Sequence, residues 1–424
     1  MYLKRLIVIL CIAAALGARA QTSTPIFVTI VMHNEETVSY DTNFFQFQSS
    51  RSQLVAFASM LYSNDVMFNW QSDWKFLAGV TNYDAGSPET GGTNVVAWMK
   101  SLGFELDPHA HQSTNSYADV AYRYTLCGVE PSHTVGGYVA WPPTSSILAQ
   151  VSSTITGWVF TSYTWTPQIL WGGGSGNHVD ETNQWASGIW RPKNTNEFMT
   201  HSESAPVPNL GNFSSGTNQW ENLDKLIAYR VAGLLCTDRM YTVTIMNNQR
   251  DLSAAITTNF EARLRTYTNV PNLQWVGIAQ AVGIWVTNYN SRPNILPFDL
   301  ALDVDNDGLH DGWEFTNQCG ITWTDGTNDF DGDSQSDVEE YVADTSPTNG
   351  ADLFVVGDLG LVTSNGAEII TWESAPGRIY TLQSAAAVAA TWTNAAVSFG
   401  TGLPMSYTNA SGTGLYWRVM VRLP

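Results

Sequence analysis

Asp303-Val-Asp-Asn-Asp-Gly-Leu-His-Asp-Gly-Trp-Glu314, then Asp329-Phe-Asp-Gly-Asp-Ser-Gln-Ser-Asp-Val-Glu-Glu340, is the stretch around which the chain divides. In the first segment Asp303, Asp305 and Asp307 take positions 1, 3 and 5, Gly308 position 6, Asp311 position 9 and Glu314 position 12. A hard cation with about six to eight oxygen ligands needs that pattern: carboxylates on alternate residues, a sharp turn, and a bidentate carboxylate closing the cage. Leu309, at position 7, offers its backbone carbonyl. The second segment repeats the register with Asp329, Asp331, Asp333, Asp337 and Glu340, and with Gln335 as the carbonyl donor. It departs at position 6, where Ser334 stands in place of glycine.

An acidic solvated linker would share the composition, because residues 303–344 hold 13 acidic side chains and no Lys or Arg. It would not share the duplicated register, so the expected ion is Ca2+. No long apolar-periodic helix precedes either loop, which argues against a sensor that opens a groove. The pair resembles EF-hand-like loops arranged as thrombospondin type 3 or dockerin-type repeats of secreted bacterial proteins, including the trailing Asp344-Thr-Ser-Pro-Thr-Asn349. That resemblance implies calcium binding and a joint stiffened by metal, and implies no activity.

The chain opens on Lys4-Arg5, an apolar run from Leu6 to Leu16, and Ala18-Arg19-Ala20, the pattern of a bacterial signal peptide cleaved after Ala20. A secreted or periplasmic protein is expected. No later segment reaches the length of a membrane span, so no membrane insertion is expected. The net charge of −19 excludes a nucleic-acid reader, and 13 of those charges lie in the calcium stretch. Cys127, Cys236 and Cys319 remain after cleavage; this odd number excludes a complete disulfide framework, and Cys127 and Cys236 read as buried small hydrophobes.

From Thr24 to about Pro297 apolar strands alternate with helical spacing: Pro25–Met32, Met67–Trp70, Phe104–Leu106, Thr134–Trp141, Tyr241–Met246 and Leu273–Ile278 as strands. Arg51–Tyr62, Val95–Leu102, Asp119–Leu126, Glu221–Leu235 and Ala254–Arg265 read as helices. Repeated strand–helix units with buried strands predict a parallel sheet, and this length fits a closed α/β barrel. Gly172-Gly-Gly-Ser-Gly176 and the polar run to Asn196 read as a long loop over the barrel mouth. After Asn349 short alternating strands at Glu368–Trp372, Arg378–Leu382, Trp392–Phe399 and Leu415–Leu423 predict a small antiparallel β-sandwich. The expected fold is multidomain: leader 1–20, α/β barrel 21–298, calcium-binding loop segment 299–349, and β-sandwich 350–424. The Trp372-x-Ser-x-Pro-Gly-x-x-Tyr380 pattern resembles terminal fibronectin-like modules of exported bacterial proteins.

Candidate chemistry gathers on histidines at strand ends. His33 closes the first strand in His33-Asn-Glu35-Glu36, and His109 and His111 close the third in Asp107-Pro-His109-Ala-His111. On an extended chain the i, i+2 pair shares one side. At the strand C-termini of a barrel, His33, His109 and His111 could meet on one divalent metal, Zn2+ or a similar ion, with Asp73 as leading oxygen ligand and Glu35 next. Strand-end histidines that merely cap are the bland alternative. His133 opens a strand and reads as structural; His178 and His201 read as loop residues.

With Trp190-Arg191-Pro192, this pattern resembles the glycoside hydrolase/deacetylase α/β-barrel superfamily that includes polysaccharide deacetylases. His33-Asn-Glu35-Glu36 stands where that family carries paired aspartates, and His109-x-His111 where it carries H-x-x-x-H. The resemblance implies a metal-dependent hydrolase removing acetyl groups from a polysaccharide or glycan, with Asp73 or Asp107 taking the proton, a histidine protonating the leaving group and Arg191 orienting the base. A glycosidase of the same superfamily would use two carboxylates, Glu35 and Asp107. A non-catalytic extracellular carbohydrate-binding or adhesion protein is the other class, and the 17 tryptophans suit sugar stacking in either.

Overall fold

The computed structural model describes residues 24–34, 38–110, 114–139, 153–173, 186–195, 197–211, 219–298, 300, 303, 307–318, 326–356, 367–410 and 416–424. The leader, Glu35, His111, His178, Asp305 and Cys319 lie outside them. The chain divides into two compact units, Met1–Asp305 and Asn306–Pro424, so the second acidic loop and the C-terminal strands share a unit.

The first unit runs β1 (Ile26–His33), α1 (Phe44–Ser63), β2 (Phe68–Ser72), α2 (Trp74–Tyr83), α3 (Val95–Ser101), β3 (Glu105–Pro108), α4 (Tyr117–Leu126) and β4 (Thr134–Val139). Then come β5 (Ile169–Gly173), β6 (Ile189–Trp190), β7 (Asn209–Leu210), α5 (Gln219–Val231), β8 (Tyr241–Asn248), α6 (Ala254–Arg265), β9 (Leu273–Trp275) and α7 (Ile278–Asn288). All eight residues of β1 are buried, as a parallel strand covered on both faces must be. β1 pairs in parallel with β8, β9 and β2, and β2 with β3.

A second sheet holds β4 and β7 parallel to β5, with β6 antiparallel to β7. The described strands therefore form a mixed α/β structure in separate sheets, not the closed barrel expected. Ser132 N donates to Leu106 O at 2.8 Å where β3 meets the start of β4. Leu106 and Pro108 turn their backbones to the same side by the period of two, and Pro108 has no N–H to extend a ladder. Glycine begins the divergence on β4, whose register shifts between Gly136 and Tyr138.

Phe27 and Val31 on one face of β1 pack with Trp171, Ile189, Leu210 and the buried side of α7 (Ile278, Ala281, Val282, Trp285). The sequence pattern ran the ninth strand through Ile278; it stops at Trp275 because α7 begins there. Asn69 Oδ1 accepts from Ile278 N at 3.1 Å, and Glu105 accepts from Ala279 N at 2.8 Å and Gln280 N at 3.1 Å. A carboxylate thus meets the unpaired amides and positive end of the helix dipole. Gly172 and Gly173, expected in a loop, end β5. Cys127 is free and buried, but Cys236, read from sequence as a simple hydrophobe, is disulfide-bonded.

In the second unit α8 (Asp311–Gln318) and α9 (Asp337–Ala343) begin at position 9 of the two acidic loops. Then β10 (Glu368–Trp372), β11 (Ile379–Ala385), β12 (Thr393–Phe399), β13 (Met405–Asn409) and β14 (Tyr416–Arg422) form two antiparallel sheets, β10–β13 and β12–β11–β14. Both sheets feed one core around Ile370, Trp372, Tyr380 and Leu382. No described helix is long and apolar enough to cross a membrane.

One carboxylate fastens a loop to α4. Asp119 is fully buried and accepts from Ser116 N at 2.8 Å, Trp158 N at 2.8 Å, Val159 N at 3.0 Å and Phe160 N at 2.9 Å. Burial pushes its pKa up, but the backbone donors outweigh burial and hold it below 3.8. Such a group contributes stability that is complete above the unfolded value and lost as pH falls through the folded one. Asp119→Asn should cost about 1–3 kcal/mol at pH 7. In urea unfolding the gap to the parent should narrow below pH 3.8; a gap independent of pH would contradict this role.

Candidate functional site

Cross-strand register builds the site. His33 on β1 is level with Gln71 on β2, and Gln71 with Asp107 on β3. One pleat below, Val31 is level with Asn69 and Asn69 with Glu105. Since alternate residues share a face, this row continues the apolar face of Phe27 and Val31 into a polar patch at the strand C-termini.

His33 and His109 meet there. Their ring centroids are 4.1 Å apart at 66°, and their residues are 5% and 2% exposed. His33 Nδ1 lies 3.1 Å from Gln71 Oε1, and His109 Nδ1 lies 2.8 Å from Gly136 O. A carbonyl can only accept, so His109 Nδ1 carries the proton and Nε2 carries the lone pair. Gln71 Oε1 imposes the same tautomer on His33. Metal-binding imidazoles use this arrangement, the second nitrogen held by an oxygen acceptor. Two imidazoles so held are the donor type that a divalent ion of the zinc type takes.

Glycine makes room for the pair. Gly137 has φ +69°, and a Cβ there would lie inside van der Waals contact of His33 Cε1 and 3.1 Å from His109 Nδ1. Its bulge also turns Gly136 O onto His109. Sequence reasoning passed over Gly136, Gly137 and Gln71, although two glycines inside an apolar strand are a recognised sign of a bulge or a close approach.

The carboxylates carry structural duties. Asp73 is buried and caps α2: its Oδ1 accepts from Phe76 N at 3.1 Å and from Asn34 Nδ2 at 3.1 Å. Oδ1 is thus committed to the helix cap and to Asn34. Asp107 is fully buried, its Oδ1 bonded by Ser132 Oγ and its Oδ2 by Asn69 Nδ2 at 3.2 Å. Burial, then the Glu105 charge, push its pKa up to about 7 against the pull of Ser132, Asn69 and Gln71.

Arg191 is not brought to either aspartate. Its Nη1 donates to Ala205 O at 3.2 Å and Pro206 O at 3.0 Å, and its guanidinium sits 5.8 Å from the Trp285 ring centroid. The residue that was to orient the base instead fastens a loop beside α7. His133 is exposed, stacks on Trp165 and bonds Thr166 O at 2.7 Å, a structural role. His201 accepts from Arg191 N at 3.1 Å.

A second centre lies in the acidic loops. Ligand oxygens of Asp329, Asp331 and Asp333 lie within 4.8 Å of one another. Glu340 is fully buried, and among the described residues both its oxygens, both Asp331 oxygens and Asp333 Oδ2 have no hydrogen-bond partner. Burial, then the charges of Asp331, Asp333, Asp337 and Asp329, push Glu340 up to about 7. Buried oxygens of one sign facing one another fit a cation that would satisfy them. Asp337 is also fully buried, and its Oδ1 accepts from Phe330 N at 3.3 Å.

The loops repeat their internal bonds: Asp333 Oδ1 accepts from Gln335 N at 2.7 Å as Asp307 Oδ1 does from Leu309 N at 2.9 Å. Leu309, Asp311 and Glu314 are fully buried. At position 6, Gly308 has φ +96° and Ser334 φ +82°, so the serine holds a backbone conformation that suits glycine.

No family model and no curated protein matches the chain. Solved structures that it is similar to include 4-alpha-glucanotransferase from Thermococcus litoralis, at 7% identity and TM-score 0.40, covering 61% of this chain and 40% of that one. Puue allantoinase matches at 10% identity and TM-score 0.40, covering 65% of this chain and 96% of that one. A structure described as a polysaccharide deacetylase from Mycobacterium smegmatis matches at 9% identity and TM-score 0.33, covering 65% and 95%. The chain thus spans less than half the length of the glucanotransferase.

Gly137→Ala should displace His33 and His109, lower divalent-metal content severalfold and cost roughly 1–3 kcal/mol of stability. Elemental analysis with thermal melting checks this; unchanged metal content would separate Gly137 from the site. Ser334→Gly should relieve about 1 kcal/mol of backbone strain and raise the urea midpoint of the second unit. An unchanged or lower midpoint would contradict the strain argument.

Proposed function

We propose that the first unit is a metal-dependent hydrolase of the deacetylase type acting on acetylated polysaccharide, and that the acidic loops bind Ca2+. The carrying observation is the His33–His109 pair, with each Nδ1 held by an oxygen acceptor. His33 and His109 would hold the ion, with His111, Asp73 Oδ2 and Glu35 as the further candidate ligands. When bound, the ion supplies Lewis acidity toward an acyl carbonyl and toward water.

Gln71 and Gly136 fix the imidazoles, and the bulge at Gly137 admits them. Proton transfer falls to Asp73, beside the pair through Asn34, or to Asp107 one strand further. A histidine would return the proton to the leaving hydroxyl or amine. The glycosidase alternative is weaker, because the two Asp107 oxygens are bonded to Ser132 and Asn69 in a buried position.

A non-catalytic glycan-binding or adhesion protein is the second reading, favoured by Asp73 serving as a helix cap and by the removal of Arg191 from the site. Calcium rests on the duplicated register and the partnerless oxygens of Asp331 and Glu340. The disulfide at Cys236 supports an oxidising, exported setting.

Acetate release from acetylated xylan and from chitin oligosaccharides tests the enzyme reading, with metal content measured in parallel. The parent should carry one divalent ion besides calcium and release acetate. His33→Ala with His109→Ala should lose both while the melting temperature falls by only a few degrees. A parent with no ion beyond calcium and no acetate release would overturn the hydrolase and leave glycan binding.

A further inference from the structure

The second acidic loop is tied to the antiparallel sheets at two places, each through an element that also carries a cation ligand. α9 supplies Asp337 and Glu340, and its last carbonyls have no partner within the helix. Arg378, at the head of β11, fills that need: Nε donates to Val342 O at 2.6 Å and Nη2 to Tyr341 O at 2.9 Å. The same Nη2 reaches Asp344 Oδ1 at 3.2 Å, and Asp344 ends the helix at φ +69°.

On the other side of the loop, Gln335 offers its main-chain carbonyl to the cation while its side chain pairs with Phe354. Phe354 N donates to Gln335 Oε1 at 3.3 Å, and Gln335 Nε2 to Phe354 O at 3.5 Å. Phe354 packs on Tyr380, with centroids 6.0 Å apart, and joins the core between the sheets.

That core is small. Among the described residues its buried members are Ile370, Trp372, Tyr380 and Leu382, with eight partly buried apolar side chains packed against them, and a module of this size gains from a staple. A seven-residue helix with Asp337, Glu339 and Glu340 in its first turn gains little by itself.

We propose that cation occupancy of the loop Asp329–Glu340 controls the folding of the antiparallel sheets, with Arg378 and Gln335 as the positioning residues that couple them. The proposal rests on the cation reading given above. When the ligand carboxylates repel one another without a cation, α9 and Gln335 withdraw, and the sheets lose both attachments. By linkage, whatever factor calcium contributes to closing the sheets, the closed sheets return to calcium affinity.

Hydrogen exchange read by mass spectrometry on the full chain, in calcium and in EGTA, tests it. In the parent, calcium should slow exchange at least about tenfold both in loop residues 329–340 and in β10 and β11. Arg378→Gln should leave the loop responsive to calcium and reduce the response of β11 to less than about threefold. If that variant does not fold, Gln335→Ala, which keeps the main-chain carbonyl and loses the Phe354 pair, should show the same loss. A loop that responds to calcium beside sheets that do not, or variants that keep the full parental response, would overturn the coupling alone. A loop that ignores calcium would overturn the cation reading and the coupling with it.

Discussion

Parallel pairing of β1, β2 and β3 puts His33, Gln71 and Asp107 in one row, and the buried polar patch of the first unit depends on that register. A slip of one residue in any of the three strands would send that strand's member of the row to the other face. The same register sets Asn69 and Glu105 one pleat lower, where they receive the amides of α7 and close the apolar core around Phe27 and Val31. A polar row at the strand ends above an apolar floor is thus one consequence of side-chain period. Burial of so many polar groups is tolerable because they bond one another: Asn69 alone bridges Glu105 and Asp107.

Charge organises the second unit. Five acidic side chains of the loop from Asp329 to Glu340 crowd together, and Asp337 and Glu340 are fully buried. In the absence of a counter-ion that arrangement is self-repelling, so the ligand geometry and the stability of the unit are the same problem. The first loop leans on the second through aromatic contacts, with His310 and Trp313 centroids 5.8 Å and 5.3 Å from the Tyr341 ring. Gly326 keeps the approach open, since a Cβ there would lie 2.9 Å from Asp307 O.

Local features were legible in the sequence. The i, i+2 acidic spacing of the loops depends only on short-range chain geometry, and Asp311, Glu314, Asp337 and Glu340 of that spacing are buried. Ala254–Arg265 was read to the residue, because Ser253 caps it and its apolar spacing is regular. Long-range features were not legible. The Gly136 carbonyl reaches His109 only after a bulge, and α7 starts at Ile278 because residues about 170 to 210 positions away receive its amides. Arg191 was assigned from a local tripeptide, yet its partners lie across a loop at Ala205 and Pro206. Asp73 shows the same ambiguity in one residue: the Asp-x-x-Phe spacing that makes it an N-cap could have been read, but a cap and a ligand look alike in sequence.

The proposed hydrolase requires His33 and His109 to converge on one ion through Nε2. X-ray absorption on zinc-loaded protein, with the acidic loops saturated by calcium, reports the shell directly. At least two imidazole nitrogens at about 2.0–2.1 Å should appear, and they should vanish in His33→Ala with His109→Ala. A shell of oxygen atoms alone, unchanged by the two substitutions, would show that the histidines hold no metal.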